Sequence, residues 1–437
     1  MLLFLSSKEI IILNFAMKRS LKFLRTASAE LQHKINISII FNYIRENEPI
    51  SRIKISNDLK ISPSAVSRVI DKLIKGGYVV EADKLKTKGG KRPTLLKINQ
   101  DKEYVIGIDL GKEKFKLALT NFNGETVEKY RGSKISNDKN IAEKMISEVK
   151  KFLSKYSQEK KLKQHKVEAI CIGVPAVIDI DTGKIISAPL YGNWKDLNLK
   201  EILESEFNIL VYIENDVNLS ALGEKHYGEG KNFKDFIFIE ISNGIGAGIV
   251  IDNHLSRGSI GSAGEIGFTI INIENLGFKV KNKGFLEKFA SVESIKKKAI
   301  REIRNGRKTI ITEMVKNDIE KIEPYMVCEA ATRGDELANN IICEMVIFLS
   351  IGIINLILII NPQIIVIGGD ICNLPEVNRL FLEPIIEKIR SSIPFKIPEI
   401  KLSLLGEDAG VVGASFQAIE SLLTNKFPYK IEQEVLS

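Results

Sequence analysis

The sequence predicts an α/β protein in which a short helical head closed by a two-stranded hairpin precedes a longer body of mixed strands and helices. Three observations carry that prediction. Helical spacing recurs three times before residue 76 and two short strands follow. Strand and helix patterns then alternate from Tyr104 onward, the signature of an α/β layer fold. Positive charge is confined to the head: residues 17 to 99 hold 18 Lys and Arg against 7 Asp and Glu, a net of +11, whereas the whole chain of 437 residues is formally +8, so the rest is near −3. An apolar share of 44% is ample for packed cores and excludes a disordered polypeptide.

In the head, residues 34 to 47 place Ile37, Ile40, Phe41 and Ile44 on one helical face, and Ser51 to Leu59 forms a second short helix after Pro49. The third helix is the most informative. Ser62 suits an N-cap, Pro63 suits the first helical position, and Val66, Val69, Ile70, Leu73 and Ile74 make one apolar stripe ending at Gly76-Gly77. Ser62, Ser64, Ala65, Ser67 and Arg68 occupy its first two turns, where short side chains allow close approach to base edges and phosphates. Taken alone, the pattern also fits an ordinary amphipathic surface helix. Val79 to Glu81 and Thr94 to Ile98 read as strands around the basic loop Lys84 to Pro93, whose Lys91 and Arg92 offer charge to phosphates; alone, that loop also fits a solvated charged turn. Together these segments follow the order of a winged helix-turn-helix, and the expected partner is double-stranded DNA.

In the body, Val105 to Gly111 is a strand entering a turn, Lys116 to Phe122 a second strand, Ile141 to Tyr156 a helix, and Val167 to Val174, Leu210 to Ile213 and Phe236 to Ile241 further strands. Lys160 to Lys166 reads as a solvated loop, and no repeat of 20 to 50 residues is visible. The apolar run Met345 to Ile360 is interrupted by Ser350, Gly352 and Asn355, and is read as a buried helix feeding a strand, too short and mixed for a bilayer span. No membrane partner is expected. The opening run Met1 to Ala16 is broken by Lys8 and Glu9 without a cleavage pattern, so it does not read as a signal peptide, and Met17 is a candidate start. Cys171, Cys328, Cys343 and Cys372 form no CxxC pair, which fits a reducing cytoplasm and no cysteine framework.

Five separated blocks then carry a specific resemblance: Asp109-Leu110-Gly111, Ile172 to Ala176, Glu214 to Asn218, Gly258 to Gly267 and Ile365 to Gly369. From about Gln32 to Ala418 the chain resembles the ROK family, which groups bacterial sugar-responsive repressors with sugar kinases, and it is most similar to the xylose-repressor branch. The resemblance implies an actin-like, ribonuclease H-like two-lobed ATPase and sugar-kinase fold behind the winged helix-turn-helix. The implied division is 1–33 for an N-terminal extension and first helix, 34–99 for the DNA-binding domain, 103–214 with 408–425 for a smaller lobe, and 215–407 for a larger lobe with the sugar site and dimer contacts.

By the same resemblance, Asn215, Asp216, Glu265 and Glu287 bind sugar, since each carboxylate can accept a hydroxyl proton. Asp216 stands where the kinases keep their general base. Asp109, Gly111, Gly244, Gly246, Gly368 and Gly369 are the remnant of a nucleotide site. In the kinases a Gly and a Thr follow the first block and bind phosphate; here Lys112 and Glu113 stand there, a side chain where backbone should touch phosphate and an anion beside a polyanion. ATP is therefore not expected as a cofactor and the chain is not expected to be an enzyme. Phe268, Phe278, Val280 and Phe285 replace the family's zinc-binding His and three Cys, so no zinc is expected, and the phenylalanines are expected to hold that loop by burial. The isolated His33, His165, His226 and His254 are no substitute. The implied activity is repression at a palindromic operator, by a homodimer or dimer of dimers, released by an aldose inducer, xylose or a related sugar. Two alternatives stand: an ATP-dependent sugar kinase carrying a DNA-binding arm, favoured by Asp109 and Asp216, and a DNA-binding protein whose sugar cleft has decayed.

Overall fold

The computed structural model describes residues 29–82, 93–111, 115–132, 141–160, 167–179, 182–188, 194–195, 197–273, 276–277 and 283–436. Lys91 and Arg92 of the basic loop, Lys112 and Glu113 of the first block, Phe278, Val280, His165 and the run from Met1 to Met17 all lie outside the described residues.

The head contains the helices Ala29–Asn47, Arg52–Leu59 and Pro63–Lys75 and the strands β1 (Ile50–Ser51), β2 (Val79–Ala82) and β3 (Leu95–Ile98), with β3 in the middle of an antiparallel sheet. The first helix starts earlier than the expected residue 34, and the two-residue β1 was too short to leave a period in the sequence. Local chemistry sets the helix ends. Ser51 accepts a bond from Lys54 N and Ser62 one from Ala65 N, each at 3.3 Å, and Pro63 occupies the first turn. The stripe Val66, Val69, Ile70 and Leu73 is fully buried against the other two helices.

The body is built on two five-stranded sheets. The first contains β4 (Tyr104–Leu110), β5 (Phe115–Asn121), β6 (Thr126–Gly132), β7 (Val167–Val174) and, beyond the small ribbon β8 (Val177–Ile178) and β9 (Ile185–Ser187), β10 (Leu210–Asn215). Its spatial order is β10-β7-β4-β5-β6. The second contains β11 (Phe236–Ile241), β12 (Ile245–Ile251), β13 (His254–Ser256), β14 (Ile364–Gly368) and β15 (Glu399–Leu402), in the order β13-β12-β11-β14-β15. In each sheet the earliest strand is central, the next two run antiparallel on one side, and the last two run parallel on the other. The two lobes thus repeat one topology, the actin-like arrangement.

The helix Glu336–Ile360 corrects the expectation drawn from Met345 to Ile360. At 25 residues it is long and apolar enough to span a bilayer, so length does not separate it from a membrane span. Its packing does: Leu337, Ile341, Met345, Leu349, Ile353 and Ile357 are buried in the core of the second lobe with Ile365 and Ile367 of β14.

The head shares its core with the body. Phe41 and Tyr78 meet Phe122 at the end of β5 and Phe427 of the C-terminal helix Phe427–Leu436, with ring centroids of Phe41 and Phe427 4.5 Å apart and those of Tyr78 and Phe427 4.9 Å apart. Around this apolar plug, Arg45 pairs with Glu420, Ser38 Oγ donates to Leu423 O at 3.1 Å, and Glu103 accepts from both Tyr78 Oη and Lys430 Nζ at 2.6 Å. The helix Ala409–Asn425, which carries Glu420 and Leu423, lies on β4 and β7.

Candidate functional site

On the head, the outward face of the Pro63–Lys75 helix is Ser64, Arg68, Asp71 and Lys75, one step of three or four residues apart, while Ala65 and Ser67 are half-buried at its flank. Ser62 is exposed but committed to the cap, and its hydroxyl also lies 3.3 Å from that of Ser64. Asp71 is neutralised by Arg52 at 2.6 Å, which leaves Arg68 and Lys75 as the positive groups of this face. A short, positively charged helix face with small side chains at its N-terminal end matches what the major groove admits.

In the body, a cleft of about 510 Å³ opens between the two sheets, and residues from both sheets line it. One end is built where β10 turns into the helix Asp216–Tyr227. Asn215 caps that helix: its Oδ1 accepts from Asn218 N at 3.0 Å and its Nδ2 donates to Ala176 O at 3.2 Å. Asp216 follows at the N-terminus, with one oxygen bonded to its neighbour Val217 N at 3.0 Å. Facing them is the loop after β13, which brings Ser262 and Glu265 into the cleft. That loop is pressed onto β12 at Gly264, whose φ of +88° and approach to Ala247 O exclude any Cβ. The fourth expected sugar ligand, Glu287, lines the cleft but already serves the backbone: Oε1 accepts from Ile245 N at 3.1 Å and Oε2 from Gly284 N at 2.8 Å.

The other end of the cleft is acidic. Asp109 at the end of β4, Glu240 in β11, Asp370 after β14 and Glu407 line it, together with Gly111, Gly369 and Lys116. Lys116 lies 3.8 Å from Asp109 and donates to the carbonyl of Glu407. Burial, reinforced by Asp109, raises the Asp216 carboxyl well above the ordinary carboxylate range; burial and then Asp216 and Asp109 do the same to Glu240. Asp109 is raised by burial despite Lys116, and Glu265 by burial and by Glu287. Of the remaining expected glycines, Gly244 and Gly246 line the cleft, whereas Gly368 is buried behind the ring of Phe238, where a Cβ would come within 2.4 Å of it.

The expectation that the phenylalanines are buried holds for Phe285, 6% exposed, and fails for Phe268, which is 39% exposed. Phe268 ends the short turn Ile266–Phe268 that follows Glu265, and it is among the residues lining the cavity. His226 lies away from the cleft lining, stacked on Phe416 with ring centroids 3.6 Å apart, and burial depresses its pKa to about 3. Sequence reasoning missed Ser262, Glu240, Asp370 and Glu407. Glu240 alone left a signal, as the one charge in the strand Phe-Ile-Phe-Ile-Glu-Ile.

Among its described lining residues the cleft holds several carboxyl groups and one lysine, and so offers hydroxyl groups many hydrogen-bond partners.

Comparison with known proteins matches the head and the body separately. The model of winged helix-turn-helix DNA-binding domains matches residues 32–80, and that of the ROK family matches residues 105–421. The xylose repressor of Caldicellulosiruptor bescii is 36% identical over 399 residues, covering 90% of this chain and 98% of that protein. The crystal structure of a ROK family transcriptional regulator, a homolog of the E. coli MLC protein, superposes with a TM-score of 0.76 at 24% identity over 92% of this chain and 98% of its own, which establishes the fold. A ROK family glucokinase from Streptomyces griseus, solved with glucose and AMPPNP, superposes with a TM-score of 0.61 at 25% identity, over 72% of this chain and 99% of its own. On these matches, which span both the head and the body, the chain belongs to the ROK family.

Proposed function

We propose that the chain is a sugar-responsive transcriptional repressor: the Pro63–Lys75 helix reads an operator, and an aldose in the interlobe cleft changes operator affinity. The observation that carries this reading is the shared core. A recognition helix with Ser64 and Arg68 exposed is not hung on a linker; its domain is packed through Phe41, Tyr78 and Phe427 onto the lobe of the first sheet, whose edge strand β10 runs into Asn215 and Asp216 at the cleft. A sugar that favours one lobe arrangement therefore acts on the head directly, provided that it binds the operator-incompetent arrangement more tightly. The relative from Caldicellulosiruptor bescii is named for xylose, and xylose or a related aldose is the inducer class we assign.

Asn215, Asp216, Ser262 and Glu265 are the sugar contacts in this reading, and Glu287 contributes the lone pairs its two backbone bonds leave. Lys112 and Glu113, which stand where the kinases bind phosphate, support a chain without kinase activity. We divide the chain at 34–99, 103–214 with 408–425, and 215–407; the repeated sheet topology supports two lobes, with β10 carrying the first sheet through Asn215. A homodimer fits a palindromic site, and Ile347, Leu358 and Ile359 on the exposed side of the Glu336–Ile360 helix offer it an apolar face. Its place of action is the cytoplasm, where such DNA lies.

The test is an operator recovered from a random-sequence pool by the full chain, then titrated in the presence of D-xylose, D-glucose and N-acetylglucosamine. One of these sugars should weaken binding at least tenfold. Arg68→Ala should weaken operator binding by about tenfold, roughly the 1–3 kcal/mol of a lost base or phosphate contact. Sugar silence across the panel sinks the reading, and ADP release with an aldose that disappears in Asp216→Ala would favour the kinase instead.

A further inference from the structure

A buried ion pair links the edge strands of the two sheets beside the cleft. Glu214 lies in β10, the edge strand of the first sheet, and Arg257 directly follows β13, the edge strand of the second. Arg257 Nε donates to Glu214 Oε2 at 2.6 Å, and the two side chains are only 16% and 9% exposed. The other carboxylate oxygen of Glu214 accepts from Asn215 N at 2.9 Å and Asn218 Nδ2 at 3.1 Å, so Glu214 holds the start of the helix on which Asn215 and Asp216 stand. Arg257 in turn anchors the opposite wall, because its carbonyl accepts from Ala263 N at 3.2 Å, between Ser262 and the Gly264 contact that carries Glu265.

We propose that Glu214 and Arg257 are positioning residues for the inducer: their ion pair fixes the separation between the Asn215–Asp216 wall and the Ser262–Glu265 wall, and so sets the concentration of sugar needed for operator release. This rests on the reading of the cleft as the inducer site. Neither side chain is among those lining the cleft, so the role acts through the walls. The physical case is that a buried ion pair is a poor source of stability compared with apolar side chains of similar volume, while its fixed hydrogen-bond geometry is an effective ruler. A polyol needs such a ruler, since each of its hydrogen bonds tolerates only a few tenths of an ångström.

Because removing one partner strands the other as a buried charge, the informative variant is the double substitution Glu214→Gln with Arg257→Met, compared with Arg257→Lys, which keeps a cation of similar reach but loses the planar fork. Full-length proteins bound to the selected operator are titrated with D-xylose, D-glucose and N-acetylglucosamine, and operator affinity without sugar and the melting temperature are recorded alongside. The double variant should need at least tenfold more sugar for half-release, Arg257→Lys should need several-fold more, and sugar-free operator affinity should stay within about twofold of wild type. A wild-type sugar dose in both variants overturns the positioning role while the functional reading stands. A loss of operator affinity in parallel with the loss of response marks a merely structural pair and also overturns it. If the double variant fails to fold, Arg257→Lys decides by the same two readings. A wild-type chain that answers no sugar overturns the functional reading, and the positioning role with it.

Discussion

Glu240 is the residue whose environment is most at odds with its chemistry. It is the one charge in an otherwise apolar strand, it lines the same cleft as Asp216 and Asp109, and burial together with those carboxylates raises its pKa. A carboxyl whose pKa is raised by folding holds its proton in the folded chain at a pH where the unfolded chain has released it, so stability falls as pH climbs from the ordinary carboxylate range toward neutrality. Glu240→Gln removes the ionisation and keeps the shape. The variant should match wild type near pH 4.5 and be more stable by about 1–3 kcal/mol at pH 8, read as a gap in melting temperature that widens with pH; a gap that is constant across that range would contradict the account. The same residue shows how far a site is legible one residue at a time. Asn215 and Asp216 stood out because they are adjacent in a compact block; Glu240 was passed over although a lone charge in a strand is unusual, and Ser262, Asp370 and Glu407 have ordinary neighbours and acquire meaning only when distant strands bring them to one cavity. Phe268 was misjudged for the same reason, since sequence supplies its apolar character but not the wall it faces.

At the scale of elements, legibility follows the strength of the local period. The strands Val167–Val174 and Phe236–Ile241 and the helix Pro63–Lys75 appear where their apolar patterns indicated, because each buries a continuous face. The edge strand β6 was invisible, its side chains alternating between exposed and half-buried with no apolar face. The repeat of one sheet topology in both lobes was also invisible, because strand order and direction are defined by backbone pairing and need no recurring side chains. Least legible was the seam between the head and the C-terminal helices, since Phe41 and Phe427 are far apart in sequence and look like any core residues. That seam is where an element-level substitution should be most costly. Phe427 is 1% exposed and touches the rings of Phe41, Tyr78 and Phe122, so Phe427→Ala leaves a cavity joining two domains. It should cost about 3–5 kcal/mol by denaturant unfolding, as large-to-small aromatic substitutions in cores do. It should also lessen the effect of sugar on operator binding; a variant of full stability, or one destabilised with an undiminished sugar response, would show that the seam does not transmit.

For the whole molecule, the path from cleft to head consists of packed elements rather than linkers. The helix Asp216–Tyr227 begins at the cleft and lies so close to the helix Ala409–Asn425 that a Cβ on Gly413 would fall 1.8 Å from Leu219 O and one on Gly223 2.4 Å from Ala409 O. The far half of Ala409–Asn425 carries Glu420 and Leu423, which bind Arg45 and Ser38 of the first head helix. Close backbone contact leaves this helix pair little freedom to slide, so under the proposed function a shift of the Asp216 end moves the head as a body and both ligands bias one equilibrium. Coupling of that kind is a single free energy shared by both sites, and it is reciprocal. The factor by which saturating sugar raises the Kd for operator must therefore equal the factor by which saturating operator raises the Kd for sugar. Calorimetric sugar titrations of the free chain and of the operator complex, set beside operator titrations with and without sugar at one salt concentration, measure the two factors independently. We expect both to be at least tenfold, about 1.4 kcal/mol of coupling, and equal within error. Two equal factors that are both close to one would mean that sugar and operator are uncoupled, and would remove the helix pair from the mechanism.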